Sequence, residues 1–198
     1  LVLRAAARCK PPFPQNEALI KVASAWRYDA HEKYHLTDLG NAERLVAAHG
    51  EDLRFCHPWS KWLVWDGRRW KVDDTAEVMR RAKEVVRSIY AEASTIDDRD
   101  KRKELVSFAM RSEQNGRLAA MVTLATSEPG IPVLPEELDR DPWLLNVKNG
   151  TIDLRTGELR PHGRDDLITK LISIEYDPTA KCPRWEQFLD EIMLGNKS

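Results

Sequence analysis

The sequence predicts an α+β fold: mainly a helical bundle, with a Trp-rich β-hairpin on its N-terminal side and a small antiparallel meander at its C-terminal end. Three observations carry this expectation. Residues 75–92 place Val78, Ala82, Val85, Val86 and Ile89 at the spacing of a helix that buries one face. Residues 62–65 and 69–72 are short aromatic and β-branched runs joined around Asp66-Gly67, a dipeptide suited to a tight hairpin turn. Residues 141–177 form a series of short strand-like runs broken by the turn dipeptides Asn149-Gly150 and Thr156-Gly157. Helices and strands that occur in blocks, without βαβ alternation, indicate α+β architecture.

Taken in order, Pro11, Pro12 and Pro14 break the chain and launch a helix over residues 15–27, with Leu19, Val22, Ala23 and Trp26 on one face. Residues 28–36 are polar and read as a connector. Thr37 is placed to cap a helix that carries Leu39, Ala42, Leu45 and Val46 on one side, and Gly50 stops it. The hairpin follows. The 75–92 helix opens on an Asp74…Glu77 capping box. A charged turn (Asp97, Asp98, Asp100) leads into a helix over 101–112. Asn115-Gly116 interrupts it before another helix through Leu118, Met121, Val122 and Ala125. Pro129-Gly130, Pro132 and Pro135 mark a loop, and residues 148–151 and 155–158 are turns of the meander. Residues 179–183 link to a last helix, begun by Pro183, whose Trp185, Phe188, Leu189 and Ile192 are expected to be buried.

Composition narrows the function classes. Lys and Arg number 31 against 32 Asp and Glu, so the 198-residue chain has no global positive field to draw in nucleic acid. Any such contact must come from a local cluster. Cys9, Cys56 and Cys182 are far apart and lack metal-ligand spacing, which fits reduced thiols and a cytoplasmic location. The uncharged stretch at residues 118–127 is about half the length a membrane span requires, so no membrane partner is expected.

His31-Glu32-Lys33-Tyr34-His35 matches H-E-x-x-H, in which two His on one helix face hold zinc and the Glu activates water. Here it falls in a polar connector without an apolar helical frame, and a coincidental match is the better reading. Trp59, Trp62, Trp65 and Trp70 lie among Lys61, Arg68, Arg69 and Lys71, a mixture able to stack bases and hold phosphates. Core packing of the indoles is weighted above stacking, because Trp62-Leu63-Val64-Trp65 sends apolar groups to both faces of a strand. That leaves Arg68 and Arg69, at the turn, as the first candidate contacts. Arg80, Lys83 and Arg87 fall at i, i+3 and i+7 opposite the apolar stripe, a row that could track a phosphate backbone or simply face water. Arg81 is expected to pair with Glu77 or Glu84. Arg99, Lys101, Arg102 and Lys103 read as a solvated turn. The carboxylate pairs Asp73/Asp74, Asp97/Asp98, Glu136/Glu137 and Asp165/Asp166 sit at helix starts and turns, with Asp165/Asp166 the least easily explained by capping. No catalytic or metal-ligating set emerges.

Residues 141–177 (DPWLLNVKNGTIDLRTGELRPHGRDDLITKLISIEYD) resemble the end of the domain that precedes the superfamily-3 helicase motor in phage, plasmid and poxvirus primase–helicases. Residues 36–74 resemble the start of the same helicase-associated domain, a helix followed by a Trp-rich hairpin. Residues 4–28 resemble the helical tail of the primase part, and residues 182–193 (CPRWEQFLDEIM) the first helix of the helicase region. The resemblance implies a tail and connector over 1–36, a helicase-associated domain over 37–178, and a linker with the first helicase helix over 179–198. No G-x-x-x-x-G-K-[ST] loop is present. The chain therefore reads as a fragment without cofactor of its own, cut before an ATPase whose ATP and Mg belong to the parent protein.

The expected function is a non-catalytic adaptor in DNA replication that helps ring assembly or guides DNA, as a weakly held single strand, to an ATP-dependent motor. Its expected partners are DNA, the helicase and primase domains of the same chain, and other subunits of a ring. Two other classes stay open: a protein–protein module that uses the Trp hairpin without DNA affinity, and a zinc hydrolase built on the HEKYH run.

Overall fold

A computed structural model describes residues 34–192. The helix expected over 15–27, the first three residues of the HEKYH run and residues 193–198 lie outside the described residues. Within them the order is α1 (Asp38–His49), β1 (Leu53–Cys56), β2 (Lys61–Trp65), β3 (Trp70–Val72), α2 (Glu77–Ser94), α3 (Arg99–Ser112), α4 (Asn115–Ala125), β4 (Leu144–Val147), β5 (Gly150–Asp153), β6 (Glu158–Arg160) and α5 (Pro183–Ile192). The α+β expectation holds: a helical bundle carries two antiparallel three-stranded sheets, ordered β1-β2-β3 and β4-β5-β6.

Thr37 caps α1 as its position implied, its hydroxyl accepting from Gly40 N at 3.1 Å. The buried arc of α1 runs through Gly40, Asn41, Ala42, Arg44 and Leu45, which leaves Leu39 on the far side and 49% exposed, contrary to the expected stripe. The cause is close approach. A Cβ at Gly40 would lie 1.9 Å from the His35 carbonyl oxygen, so the preceding segment packs against this arc. The polar side chains drawn inside find partners for some of their atoms: Asn41 Nδ2 donates to Ser112 Oγ at 3.0 Å, and Arg44 binds Glu92 at 2.5 and 3.3 Å, while Asn41 Oδ1 and Arg44 Nε are buried without a hydrogen bond among the described residues.

The hairpin expected around Asp66-Gly67 is part of a larger sheet. β1 pairs with β2 in the register Leu53↔Val64 and Phe55↔Trp62, and β2 pairs with β3 through Leu63↔Val72 and Trp65↔Trp70. The connection is a four-residue loop and not a two-residue turn. Asp66 N donates to Arg69 O at 3.1 Å, Asp66 Oδ1 accepts from both Arg68 N and Arg69 N, and Gly67 takes a φ of +93°. The proline-rich loop is not free either. Phe55 N donates to Ile131 O and Val133 N to Phe55 O, so residues 131–133 line the outer edge of β1.

Alternation along these strands divides the core. Leu53 and Val64, with Phe55 and Trp62, meet Ala42 and Leu45 of α1, Val78, Ala82, Val85 and Val86 of α2, and Leu118, Met121 and Ala125 of α4. Cys56, Leu63 and Trp70, with Trp65 and Val72, meet Val133, Leu138 and Leu167 on the opposite face. A third cluster (Ile89, Ala93, Leu105, Phe108, Ala109) joins α2 to α3.

The α2 cap differs from expectation. Asp73, not Asp74, collects the free amides: its carboxylate accepts from Thr75 N at 3.3 Å, Glu77 N at 2.8 Å and Val78 N at 3.0 Å. The reach is needed because Ala76 enters the helix with a left-handed φ of +57°, which carries the first turn back over Asp73. α3 begins two residues before the expected 101, on the side chain of Asp98, which accepts from Asp100 N and Lys101 N. Asn115-Gly116 forms the first turn of α4, and the break lies before it. In the meander, Ile172 bridges to Val147 and extends the β4 edge. Pro183 opens α5 as expected, but Trp185, Phe188, Leu189 and Ile192 are 39–59% exposed, which overturns their expected burial. Trp185 and Phe188 stack on each other at 5.4 Å, and α5 meets no core cluster of the described residues.

Two predictions follow from this packing. Asp73→Ala is expected to lower folding stability by about 1–2 kcal/mol, since it orphans the first-turn amides of α2. Asp74→Ala should change stability by less than about 0.5 kcal/mol, as for a surface site without such contacts; urea denaturation compares the two. His49, in the last turn of α1, has its pKa lowered, first by burial and then by the Arg81 charge. The unfolded chain therefore takes up this proton more readily, so His49 lowers stability as pH falls below the ordinary His value, about 6.5. Replacing it with Gln should flatten the acid limb of stability between about pH 7 and 5.

Candidate nucleic-acid interface

The five candidate cations occupy two elements. α2 presents Arg80, Lys83 and Arg87 to solvent while Val78, Ala82, Val85, Val86, Ile89 and Ala93 hold its other face in the core. These charges therefore stand on a rigid support. Arg80 is tied to Glu77 one turn earlier. Lys83 and Arg87 make no ion pair among the described residues, and with Val86, Glu113 and Leu118 they line a shallow depression of about 240 Å³.

Arg68 and Arg69 lie in the β2–β3 loop and differ from each other. The Arg68 side chain is exposed and forms no ion pair among the described residues, while its backbone carbonyl accepts from Asn146 Nδ2 at 2.9 Å. Arg69 is half-buried: its guanidinium donates to Thr169 O at 3.3 Å and its Nε lies 3.7 Å from Asp66 Oδ2. Its Nε is buried without a hydrogen bond among the described residues. The loop and the helix row meet in a groove of about 270 Å³ lined by Asp66, Lys71, Asp73, Glu77, Arg80 and Arg81, among others. Its acids are already engaged. Asp66 closes the β2–β3 loop, Asp73 caps α2, and Glu77 pairs with Arg80 and Arg81.

Arg81 does pair with Glu77, at 3.1 Å, but its second partner is Asp52 at 3.6 Å, which also binds Arg164 Nε at 2.6 Å. This chain of charges joins α2 to the segment before β1 and to the late meander. Arg102 closes the turn ahead of α3, donating to the Ile96 carbonyl at 2.8 and 2.6 Å. Asp166, in the acid pair that capping explained least, takes Arg160 in a two-point contact at 2.8 and 2.7 Å. That contact holds the Arg160 pKa above its ordinary value.

The indoles are structural. Trp70 is fully buried, donates from Nε1 to Arg164 O at 2.9 Å and lies under the Arg54 guanidinium at 4.7 Å. Trp65 packs on Trp70 at 5.7 Å between ring centres, and Trp62 meets Phe55 edge-on at 5.1 Å. Trp59 is the exposed member of the four. Trp62, Trp65 and Trp70 thus pack in the core clusters, while Trp59 keeps its indole open to solvent.

Of the HEKYH run, Tyr34 and His35 are described, and the Arg44 guanidinium lies over the Tyr34 ring at 5.0 Å. Among the described residues no group of three or more His, Cys, Asp or Glu is arranged to hold a metal, and no helix is long and apolar enough to cross a membrane. The sequence reading passed over Asn146, Lys148 and Lys170, which surround the Arg68 loop. Asn146 is 4% exposed and forms hydrogen bonds to three other segments. Its only signal in the sequence is a polar residue inside an apolar strand run, Leu144-Leu145-Asn146-Val147.

No curated protein matches the chain. The protein family described as D5 N terminal like matches residues 42–194, from the buried face of α1 through α5. That span covers both sheets, the bundle and every candidate cation, and on it the chain belongs to the D5 N-terminal-like family, a domain found in phage- and plasmid-type primase–helicase proteins.

Proposed function

We propose that this domain is a non-catalytic adaptor of a DNA primase–helicase acting in phage or plasmid replication. It guides DNA, as a weakly held single strand, toward a superfamily-3 motor and contributes to ring assembly. In this reading the ATP- and Mg-dependent step belongs to the motor and not to these residues, and the partners are the primase and helicase domains of the same chain and neighbouring subunits. The observation that carries the DNA-guiding role is the pair Lys83 and Arg87. Both are exposed and without ion pairs among the described residues, on a helix whose opposite face is locked in the core. Arg80 and Arg81 differ from them, because Glu77 pairs with both. Two cations left free on a rigid row suit phosphate contact, which releases counterions and needs no base-specific geometry.

A second reading, a protein–protein module, draws on α5. Its apolar face of Trp185, Phe188, Leu189 and Ile192 is open to solvent, and a ten-residue helix is too short to be stable in water without a surface to pack on.

The two readings diverge in a salt titration. Fluorescence anisotropy of a labelled oligo-dT should show affinity falling steeply with salt. Replacing Lys83 and Arg87 by Ala should reduce the slope of log K against log salt by about 1.4, roughly 0.7 for each lost phosphate contact. Arg80→Ala should have a smaller effect, because Glu77 already engages that charge. Absence of salt-dependent binding in the unaltered chain would leave the protein–protein reading alone.

A further inference from the structure

The row on α2 is not the only place where exposed cations occur. Asn146, on β4, lies where three segments cross. Its Nδ2 donates to the carbonyls of Arg68 at 2.9 Å and Lys170 at 3.1 Å. Its Oδ1 accepts from the Thr151 hydroxyl at 3.2 Å and faces His162 Nδ1 at 2.7 Å. Two carbonyls on one side of the amide require the NH2 group there, so the oxygen faces His162 and Nδ1 carries the proton. With the proton on Nδ1, Nε2 is an acceptor, so the Lys148 carbonyl, 3.4 Å away, lies beside the imidazole without a hydrogen bond to it. A buried amide with all its capacity used holds its neighbours in place, because displacing any of them leaves a polar atom unpaired away from water.

The backbone carbonyls gathered around this amide and imidazole belong to cationic residues: Arg68 from the β2–β3 loop, Lys148 from the β4–β5 turn and Lys170 from the segment that follows β6. All three side chains are exposed. Arg68 and Lys148 make no ion pair among the described residues. Lys170, 85% exposed, reaches only Asp139, at 3.9 Å. Three cationic residues up to 102 positions apart in sequence (170 minus 68) thus meet one hub through their backbones and extend exposed side chains from it, of which Lys170 has an acid partner, Asp139, among the described residues. Concentrating like charge repels, and a bound anion relieves that repulsion.

The geometry points to Arg68, Lys148 and Lys170 as a second phosphate-binding patch, for the backbone of single-stranded nucleic acid. This inference rests on the DNA-guiding reading and extends it from the helix to the meander. An acidic peptide is the competing occupant, and continuity favours nucleic acid. Asp66, which closes the loop of Arg68, lines one groove with Lys71 and Arg80, so this loop adjoins the groove at which the row on α2 begins. A track of this kind suits a polymer with a phosphate at every repeat.

The test uses the 198-residue chain, a labelled oligo-dT read by anisotropy at stepped salt, and polyglutamate as competitor. Lys148→Ala with Lys170→Ala touches only exposed side chains, and circular dichroism checks that the fold is retained. The expected result is weaker oligo-dT binding, with a salt slope reduced by about 1.4, and further weakening when Lys83→Ala and Arg87→Ala are added. If oligo-dT binding is lost in the Lys83/Arg87 variant but unchanged in the Lys148/Lys170 variant, the patch is overturned and the DNA-guiding reading survives. If the unaltered chain binds no oligo-dT, both fall. If polyglutamate displaces oligo-dT at equal charge concentration, and its own binding is lost in the Lys148/Lys170 variant, the patch serves an acidic protein and the nucleic-acid assignment is overturned.

Discussion

The first sheet is apolar on both faces, and most of the architecture answers that constraint. Trp62 and Val64 point toward the helices while Leu63 and Trp65 point away, so a single layer of helix could cover only half of the strand. The chain supplies the bundle of α1, α2 and α4 on one side. On the other it returns with Val133, Leu138 and Leu167, and the Trp70 indole is sealed by the Arg164 carbonyl and the Arg54 guanidinium. The edges are covered as well: residues 131–133 line β1, and the Ile168 carbonyl accepts from Trp70 N on β3. Because the late segments must come back to cover this face, the meander is brought against the β2–β3 loop. The meeting of Arg68 with Asn146 is a consequence.

Polar contacts inside the fold set its registers. Arg44 and Glu92 are both largely withdrawn from water and bind each other across α1 and α2. Such a pair gains little over apolar packing, but sliding one helix past the other would strand a buried charge, at a cost of about 3–5 kcal/mol. Asn41 with Ser112 ties α1 to α3 in the same manner, and the Arg81–Asp52–Arg164 chain ties α2 to the meander. Directional contacts of this kind turn a collapsed bundle into one arrangement.

The near-neutral charge of the chain conceals two populations of cations. Arg44, Arg81, Arg155, Arg160 and Arg164 are engaged with carboxylates and hold elements together. Arg68, Lys83, Arg87 and Lys148 are exposed and unpaired among the described residues, and they stand on elements anchored elsewhere by the core or by Asn146. Net charge, a sum over both populations, does not report this division. The paired set joins elements of the fold to one another, while the free set leaves positive charge open to solvent.

Features encoded by neighbours along the chain were legible in the sequence. The Thr37 cap, the α2 stripe from Val78 to Ile89, the break between α3 and α4, Pro183 at the start of α5 and the strand alternation at Trp62–Trp65 each depend on residues a few positions apart. Errors arose where the path of the backbone or the presence of a packing surface decided the outcome. Leu39 faces outward because the segment around His35 packs over Gly40, Asp73 displaces Asp74 as the cap because Ala76 turns left-handed, and the α5 stripe stays exposed because no core surface reaches it. The candidate site divided along the same line. Periodicity revealed the row of Arg80, Lys83 and Arg87, whereas which of those charges is already paired, and the grouping of Arg68 with Lys148 and Lys170, depended on tertiary contacts. The sequence by itself determined the class of fold and the buried face of α2, since periodicity acts over a turn or two of chain. The tertiary structure alone decided which charges are free, because pairing depends on distances between segments that no local pattern sets.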